Sequence, residues 1–265
     1  MQELVSVYRP WSDRRRRSVE LAERYPHAAE VLQLHQALLD VQEHIYDAAL
    51  AAPPAPSTLP AFAIAQALPR VLEVTVAAGP AQLSTAAVAR FHSADLEDLI
   101  GRWLRLEDQP LVDRYLARAA LTPILEAAGP DLAGTACSGR ARGSACPICG
   151  GPAQVSWSAL SGESLVTGPR YLQCARCQGA WNHTRLNCPG CGETTGSRLP
   201  VYGEQDRFPH LAIEGCKTCN TYVIHVDLRR DAAAVPVVDE LAAAPLDLFA
   251  KEQGLSKLVP NLVGM

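Results

Sequence analysis

The sequence has few aromatic residues, which make up 6% of its 265 positions, and it contains no cysteine before Cys137. A first half rich in alanine and leucine with few aromatic side chains favours helix packing. The N-terminus has no basic segment followed by an apolar run, and no uncharged apolar stretch of about 18 residues occurs, so we expect neither a signal peptide nor a membrane span. The sequence therefore predicts a cytoplasmic protein.

Two further observations argue against particular classes of function. The chain contains no Ser/His/Asp grouping, no phosphate-binding loop and no carboxylate pair with a distinctive spacing, so we predict that it is not an enzyme. The formal net charge is −4, which argues against general affinity for nucleic acid. Residues 137–230 differ from the rest, because they hold ten basic residues against six acidic ones.

Apolar residues in the first half recur every three or four positions, which is typical of amphipathic helices. The predicted helices cover residues 12–25, 27–50, 60–75, 81–92, 94–107 and 109–128. We expect Ser12 or Asp13 to cap the first helix and Ser93 to cap the fifth. Pro123 is expected to kink or split the last helix. The four arginines at 14–17 are interpreted as a solvated helix face.

The segment "GPDLAGTACSGRARGSA" (129–145) is small, polar and rich in glycine, and it is the clearest domain boundary. Helical periodicity stops there. The strand-like segments that follow are "QVSWS", "RYLQC", "RLPVY", "HLAIEGC" and "TYVIHVDL". The tail returns to a helical pattern in "DELAAAPLDLFAKEQG", which begins at Asp239.

Eight of the nine cysteines form four C-x-x-C pairs. In each half of the region, 24 residues separate the second cysteine of one pair from the first of the next, and each of the first four paired cysteines recurs 42 positions later. This spacing indicates an internal duplication into two equal units. The paired cysteines are Cys146 and Cys149, Cys174 and Cys177, Cys188 and Cys191, and Cys216 and Cys219.

A C-x-x-C turn lets two thiolates hold one ion, and two such turns supply the four sulfurs of a zinc ribbon or rubredoxin site. We therefore predict two sites with sequential grouping, the first four paired cysteines in one and the last four in the other. Units this small can hardly fold alone, so metal binding is expected to stabilise them by on the order of 10 kcal/mol, whereas the helices should remain folded without the ions.

The donor set does not identify the ion, because four thiolates suit zinc and iron equally. Zinc would make the sites purely structural, and iron would make them one-electron redox centres. Four sulfurs leave no open coordination position, so a structural role is predicted rather than metal-assisted hydrolysis. The rival interpretation of thioredoxin-like redox pairs requires a βαβ context that the sequence lacks.

Other residues near the cysteine pairs receive ordinary roles. Cys137 has no partner in the repeat and is interpreted as a free thiol in a mobile linker. His183 and His225 are expected to form hydrogen bonds, since each site already has four sulfurs. Four aromatic residues are expected to pack the small cores of the metal units: Trp157, Tyr171, Trp181 and Tyr222.

The predicted fold class is α+β, with an all-α N-terminal domain, two tandem rubredoxin-like or zinc-ribbon units and a short C-terminal helix. The predicted domains are a helical domain at 1–130, a linker at 131–145, metal ribbons at 146–185 and 186–230, and a C-terminal helix and tail at 231–265.

Several stretches of the chain resemble the formate dehydrogenase accessory protein family, FdhE. The stretches are "CPICGGPAQVSW", "RYLQCARCQGAWNHTRLNCPGCGE" and "EGCKTCNTYV", together with "RYPHAAEVLQLHQALLDVQEHIYDAAL" and "LDLFAKEQGLSKLVPNLVGM". The resemblance implies a cytoplasmic accessory protein that binds the catalytic subunit of a molybdenum- or tungsten-dependent formate dehydrogenase during its maturation. It also implies a rubredoxin-like metal region, for which iron binding and redox activity have been ascribed to the family.

Two other function classes stay open at this point. A nucleic-acid-binding zinc-ribbon protein would use the basic residues of 137–230, although these do not cluster with aromatic side chains. A rubredoxin-type electron carrier would require iron in the sites. The sequence identifies neither the native ion nor the oligomeric state, and it leaves self-association open.

Overall fold

The structure is a computed structural model that describes residues 11–159, 168–262 and 264, together with the backbone of residues 4 and 5. It confirms the α+β class, with a helical region followed by a sheet. The helices of the first region are α1 (Trp11–Arg24), α2 (Ala29–Ala51), α3 (Leu59–Phe62), α4 (Leu68–Ala78), α5 (Ala81–Ser93), α6 (Leu96–Leu104) and α7 (Leu111–Ala136).

The helix caps differ from the prediction. Helix α1 already begins at Trp11, so Ser12 and Asp13 lie in its first turn. Ser93 ends α5, and α6 is capped by Asp95, whose carboxylate accepts the backbone N–H groups of the residues two and three positions on. An aspartate side chain at this position satisfies otherwise unpaired amides of the first turn, and Ser93 is too far upstream to do so.

The predicted helix at 60–75 is three consecutive pieces, because a π-helical turn at Ala63–Ala67 separates α3 from α4. The predicted break at Pro123 is wrong. Helix α7 continues through Pro123, and its non-helical residue is Gly129, at φ 74° immediately before Pro130. A positive φ suits glycine, and proline disfavours helical geometry in the residue before it. Residues 131–136 of the predicted linker are helical.

One mixed sheet follows the helices, in the order β1-β4-β3-β2-β7-β6-β5, with β8 also paired to β7. Its strands are β1 (Leu4–Val5), β2 (Ala153–Ser158), β3 (Arg170–Cys174), β4 (Ala180–Asn182), β5 (Val201–Tyr202), β6 (Leu211–Cys216), β7 (Thr221–Asp227) and β8 (Ser256–Lys257). The chain's first residues thus contribute a strand to the sheet, although the prediction placed them in the helical domain.

The repeated units have matching strands. Strands β2, β3 and β4 of the first unit pair in antiparallel order, as do β5, β6 and β7 of the second. The units are joined because β2 pairs in parallel with β7, with Val155 opposite Ile224. The two predicted ribbons therefore share one continuous sheet.

The C-terminal segment folds back on both regions. It forms two short helices, α8 (Pro236–Asp239) and α9 (Ala244–Glu252), before β8. The predicted helical tail is thus confirmed in its main part, and β8 was not predicted from the sequence.

The apolar side chains form two cores. One, called the helical core below, contains residues of α2, α4, α6 and α7 together with cysteines of the first unit, including Cys146 and Cys174. The other contains residues of α1, of β6 and β7, and of the C-terminal helices, including Leu21, Ile224 and Leu246. Each core therefore joins the helical region to a different part of the sheet region.

The arginine run at 14–17 is only in part a solvated face, because Arg16 has 70% of its side chain exposed whereas Arg14 and Arg17 are buried. Arg17 is 1% exposed and donates to Asp239 at 2.5 Å and to Asp231 at 2.6 Å. Arg14 is also buried and forms an ion pair with Glu126. These two buried arginines supply ion pairs that attach α1 to α7 and to the C-terminal segment.

Within the part of the chain that the structure describes, one stretch, Leu59–Ala78, is long and apolar enough by length and composition to cross a membrane, and 28% of its most apolar window is buried. The stretch contains Arg70 and Glu73 and is broken by the π-helical turn. Residues such as Leu59, Leu68 and Val71 are fully buried in the helical core.

Candidate metal centres

The structure groups the eight paired cysteines sequentially, as the repeat predicts. In each group every sulfur lies within 4.8 Å of every other. The first group is Cys146, Cys149, Cys174 and Cys177, and the second is Cys188, Cys191, Cys216 and Cys219. All nine cysteines are free of disulfides. The two groups are called site 1 and site 2 below.

Sulfur separations fit a tetrahedral ion. In site 1 the Sγ atoms of Cys146 and Cys177 are 3.7 Å apart. In site 2 the Sγ atoms of Cys188 and Cys219 are also 3.7 Å apart. A tetrahedron with metal–sulfur bonds of about 2.3 Å has edges of roughly 3.8 Å. Each group therefore has the dimensions of a site for one four-coordinate ion.

Backbone geometry repeats at all four C-x-x-C turns. The residue after the second cysteine of each turn has a positive φ. Glycine occupies this position after Cys149 and Cys191. The other two turns place Gln178 at φ 59° and Asn220 at φ 54°. Two of the four turns thus adopt the left-handed conformation without glycine. Asparagine commonly tolerates this conformation, whereas glutamine does not.

Backbone amides point at the sulfurs. The N–H of Gly151 donates to Cys149 Sγ at 3.4 Å, that of Arg176 to Cys174 Sγ at 3.3 Å, and that of Gly190 to Cys188 Sγ at 3.3 Å. Such bonds stabilise thiolate, the form that coordinates a metal.

Burial opposes ionisation of the thiols when no cation balances them. It raises the pKa of Cys174 well above its ordinary value and raises that of Cys188 as well. Four neighbouring thiolates in a desolvated site repel one another, so the ionised set requires a positive ion. The donor chemistry therefore fits zinc or iron at both sites.

The environments of the two sites differ. All four cysteines of site 1 are buried, whereas in site 2 Cys191 is exposed and Cys219 is half-buried. Among the described residues, the site 1 cysteines belong to the helical core and none of the site 2 cysteines belongs to either core. The sequence repeat gave no sign of this difference.

Cys137 is not in a mobile linker. It follows the last residue of α7, is 8% exposed and packs in the same core as Cys146 and Cys149. Its hydrogen bonding with Cys149 and its burial raise the pKa of the Cys137 thiol far above the usual range. The thiol is therefore held neutral beside site 1.

The two histidines have the expected hydrogen-bonding roles. His183 contacts Ser144 Oγ at 3.2 Å and the carbonyl oxygen of Asn187 at 3.2 Å. His225 lies between the hydroxyl groups of Ser156 and Ser158, at 2.8 and 3.1 Å. Neither histidine is part of a sulfur group.

The four aromatic residues are packed, but in the two cores shared with the helices rather than in small cores of the metal units. Trp157 stacks on Tyr171 with ring centroids 4.3 Å apart. Trp181 and Tyr222 are buried, at 0% and 1% exposure.

One residue of site 1 was missed. Arg176, inside the second C-x-x-C turn, is 1% exposed and donates to the carbonyl oxygens of Gly139 at 3.0 Å and Cys149 at 3.4 Å. At the equivalent position of the repeat, 42 residues later, the chain has Thr218. A comparison of the two units at each position would have singled out this arginine.

The comparisons with known proteins agree on a family. Residues 145–185 match the family described as "FdhE, central domain", and residues 186–263 match "FdhE, C-terminal domain". A Protein FdhE homolog from Aquifex aeolicus is 35% identical over 119 residues, which cover 45% of this chain and 41% of the relative. One from Pseudomonas putida is 33% identical over 121 residues, covering 44% and 37%. The matched part thus spans about two fifths of these relatives' length.

A solved structure matches the fold of the whole chain, including the helical region. The crystal structure of the FdhE protein from Pseudomonas aeruginosa superposes with a TM-score of 0.69 over 98% of both chains, at 23% identity. That likeness shows that the helices and the sheet are arranged as in that structure. The two domain matches include all eight paired cysteines, and they assign residues 145–263 to the central and C-terminal domains of the FdhE family.

Proposed function

We propose that this protein is a cytoplasmic accessory protein that binds the catalytic subunit of a formate dehydrogenase during assembly or activation. The observation that carries the proposal is the match of residues 145–263 to two FdhE domains, in the part of the chain that holds both sulfur sites. The sequence resemblance to formate dehydrogenase accessory proteins supplies the partner.

The proposal includes a metal role for eight residues. Each site would hold one zinc or iron ion through four thiolates, and the ion would stabilise the strands around it. The ligands are Cys146, Cys149, Cys174 and Cys177 in site 1, and Cys188, Cys191, Cys216 and Cys219 in site 2.

A binding role suits closed four-sulfur sites better than catalysis does. Four protein ligands leave no position for a metal-bound water or substrate, so the sites have no route to metal-assisted hydrolysis. We therefore propose that the protein acts by binding and catalyses no reaction itself.

A pull-down with the formate dehydrogenase catalytic subunit tests this function. The metal-loaded wild-type chain should retain the subunit, and a double variant, Cys188→Ser with Cys191→Ser, should lose binding together with the second ion. Metal analysis of the same samples identifies the ion. Retention of DNA or RNA but no formate dehydrogenase subunit would overturn the proposal in favour of nucleic-acid binding.

A second candidate, electron transfer, is favoured by the exposure of Cys191. A sulfur ligand at the surface brings a redox ion in site 2 close to a partner. A zinc-substituted protein that still binds the subunit but no longer supports formate dehydrogenase activity in cells would support this role. Full support by the zinc form would reject it.

A further inference from the structure

A cleft lies where three parts of the chain meet, and no role assigned above uses it. It has a volume of about 240 Å³ and is lined by the loop between α6 and α7, by α7, by the second C-x-x-C turn and by the segment after β8. We call it the junction cleft. Its apolar wall includes Trp103, Leu258 and Pro260.

The junction cleft contains a buried polar side chain that has no partner. Gln109 is 7% exposed, and neither its Oε1 nor its Nε2 atom has a hydrogen-bond partner among the described residues. A buried amide without partners costs about 1–3 kcal/mol. A cost of this size at a cleft wall is explained if a bound molecule supplies the missing partners.

Two arginines of the cleft also lack an anionic partner. Arg176 and Arg118 form no ion pair with a carboxylate in the described part of the chain. Arg176 donates only to carbonyl oxygens, and its Nε atom has no partner. Arg118 donates to the carbonyl oxygen of Pro260 at 2.9 Å and to Gln154 Oε1 at 2.6 Å.

The other buried arginines behave differently, since each forms an ion pair with a carboxylate. The partners are Glu126 for Arg14, Asp239 for Arg17 and Glu214 for Arg170. The thiolates of site 1 can balance part of the charge of Arg176, but they do not supply a partner for Gln109. The cleft therefore combines unpaired positive charge with an unpartnered amide.

The remaining charged residues of the cleft limit which anion it can bind. Arg114 is already bound to Asp108 at 3.0 Å, and Glu107 to Arg105 at 2.6 Å. Both acids line the cleft and would repel a doubly charged anion such as phosphate. A planar carboxylate carries one charge and matches the donor geometry of guanidinium groups.

We propose that the junction cleft binds a carboxylate attached to an apolar body. Its oxygens accept hydrogen bonds from Gln109 and from the guanidinium groups of Arg118 and Arg176, and its apolar part contacts Trp103 and Leu258. The carboxylate belongs either to a small organic acid or to the C-terminus of a peptide, and both sources present the same group to the cleft.

Calorimetric titration of the metal-loaded chain tests the proposal. Benzoate represents a small acid, and a short peptide ending in leucine is used with a free and with an amidated C-terminus. Saturable binding of one equivalent is expected for benzoate or for the free-acid peptide, and not for the amide or for inorganic phosphate. Benzoate alone indicates a small-acid site, whereas the peptide preferred over benzoate indicates a C-terminus; both support the proposal.

The variant Gln109→Met separates a ligand contact from a structural role. Because the Gln109 side chain has no partner among the described residues, the variant should unfold no more easily than wild type, yet it should bind the carboxylate about tenfold more weakly. The matched control is Gln173→Met, which changes a buried glutamine of β3 outside the cleft and should leave binding unchanged. Val259→Trp, which fills the cleft, should abolish binding if Gln109→Met folds poorly.

Three results would overturn the proposal. They are an absence of binding by every carboxylate probe, equal binding of phosphate, and unchanged carboxylate affinity in both Gln109→Met and Val259→Trp. None of these results depends on the formate dehydrogenase partner, so failure here and failure of the proposed function are distinguishable.

Discussion

Sites 1 and 2 share one sequence pattern but occupy different environments. The helices cover site 1, whose Cys149 is 2% exposed, while site 2 has Cys191 at the surface. A buried arginine, Arg176, lies beside site 1. Two residues after Cys191 of site 2, Glu193 accepts a hydrogen bond from Thr218 at 2.5 Å. A duplicated motif thus preserved the ligand geometry, whereas packing against the helices decided accessibility.

The largest contrast is expected between Cys149→Ser and Cys191→Ser, which change equivalent ligands. Cys149→Ser should lose the first ion and destabilise the protein by about 4–5 kcal/mol, because the site 1 sulfurs are part of the helical core. Cys191→Ser should lose the second ion and leave most helical signal intact. Far-UV circular dichroism and metal analysis of both variants measure this.

Equal loss of helical signal in the two variants would show that the sites are energetically equivalent. The shared core also bears on the expectation that the helices remain folded without metal. Since site 1 supplies part of their core, we now expect complete metal removal to reduce the helical signal.

The second prediction concerns the rate of metal release. A chromophoric chelator should remove the two ions in two phases whose rates differ by at least about tenfold, because local opening is easier at an exposed site. The fast phase should disappear in Cys191→Ser. A single phase that releases both ions would contradict the difference in accessibility.

A smaller difference, in the free energy of unfolding, is expected between Gly150→Ala and Gly192→Ala. Both glycines follow a second cysteine and have positive φ, 71° and 80°, so each substitution costs about 1 kcal/mol in backbone strain. A Cβ at Gly150 would also lie 3.0 Å from the carbonyl oxygen of Gly139, whereas at Gly192 it meets nothing within 4 Å.

The expected costs are therefore about 2 kcal/mol for Gly150→Ala and about 1 kcal/mol for Gly192→Ala. Urea denaturation of the metal-loaded variants measures both. A larger cost at Gly192 would indicate that site 2 is the more tightly packed of the two.

The smallest expected effect is a change in the free energy of unfolding with pH, caused by a histidine of the helical region. Burial, with a contribution from Arg14, lowers the pKa of His35 to about 3, and the ring lies 3.2 Å from Ser18 Oγ. Because the folded-state pKa lies below the unfolded value, this contribution is present above about pH 6.5 and is lost as the pH falls towards 3.

Between pH 7 and roughly 5.5, wild type should therefore lose about 1 kcal/mol more than His35→Gln. His44→Gln, an exposed histidine of the same helix α2, is the control and should keep the wild-type dependence. Identical pH profiles of wild type and His35→Gln would show that His35 is protonated without penalty.

The sequence alone determined the local features that depend on short spacing. The C-x-x-C turns, the repeat of 42 positions and the apolar periodicity predicted the two sulfur groups, most helices and the main strands. Each of these features follows from backbone geometry within a few residues or from a repeated pattern. The break at Gly129 carried a local signal, a glycine before a proline, that the emphasis on Pro123 overlooked.

Only the tertiary structure decided the features that join distant parts of the chain. The parallel pairing of β2 with β7, the ion pair of Arg17 with Asp239 and the burial of Cys137 depend on segments far apart in sequence. The same is true of the junction cleft, whose walls come from three regions. Burial and charge pairing depend on which side chains pack against a residue. The periodicity of a single segment does not identify neighbours that are distant in sequence.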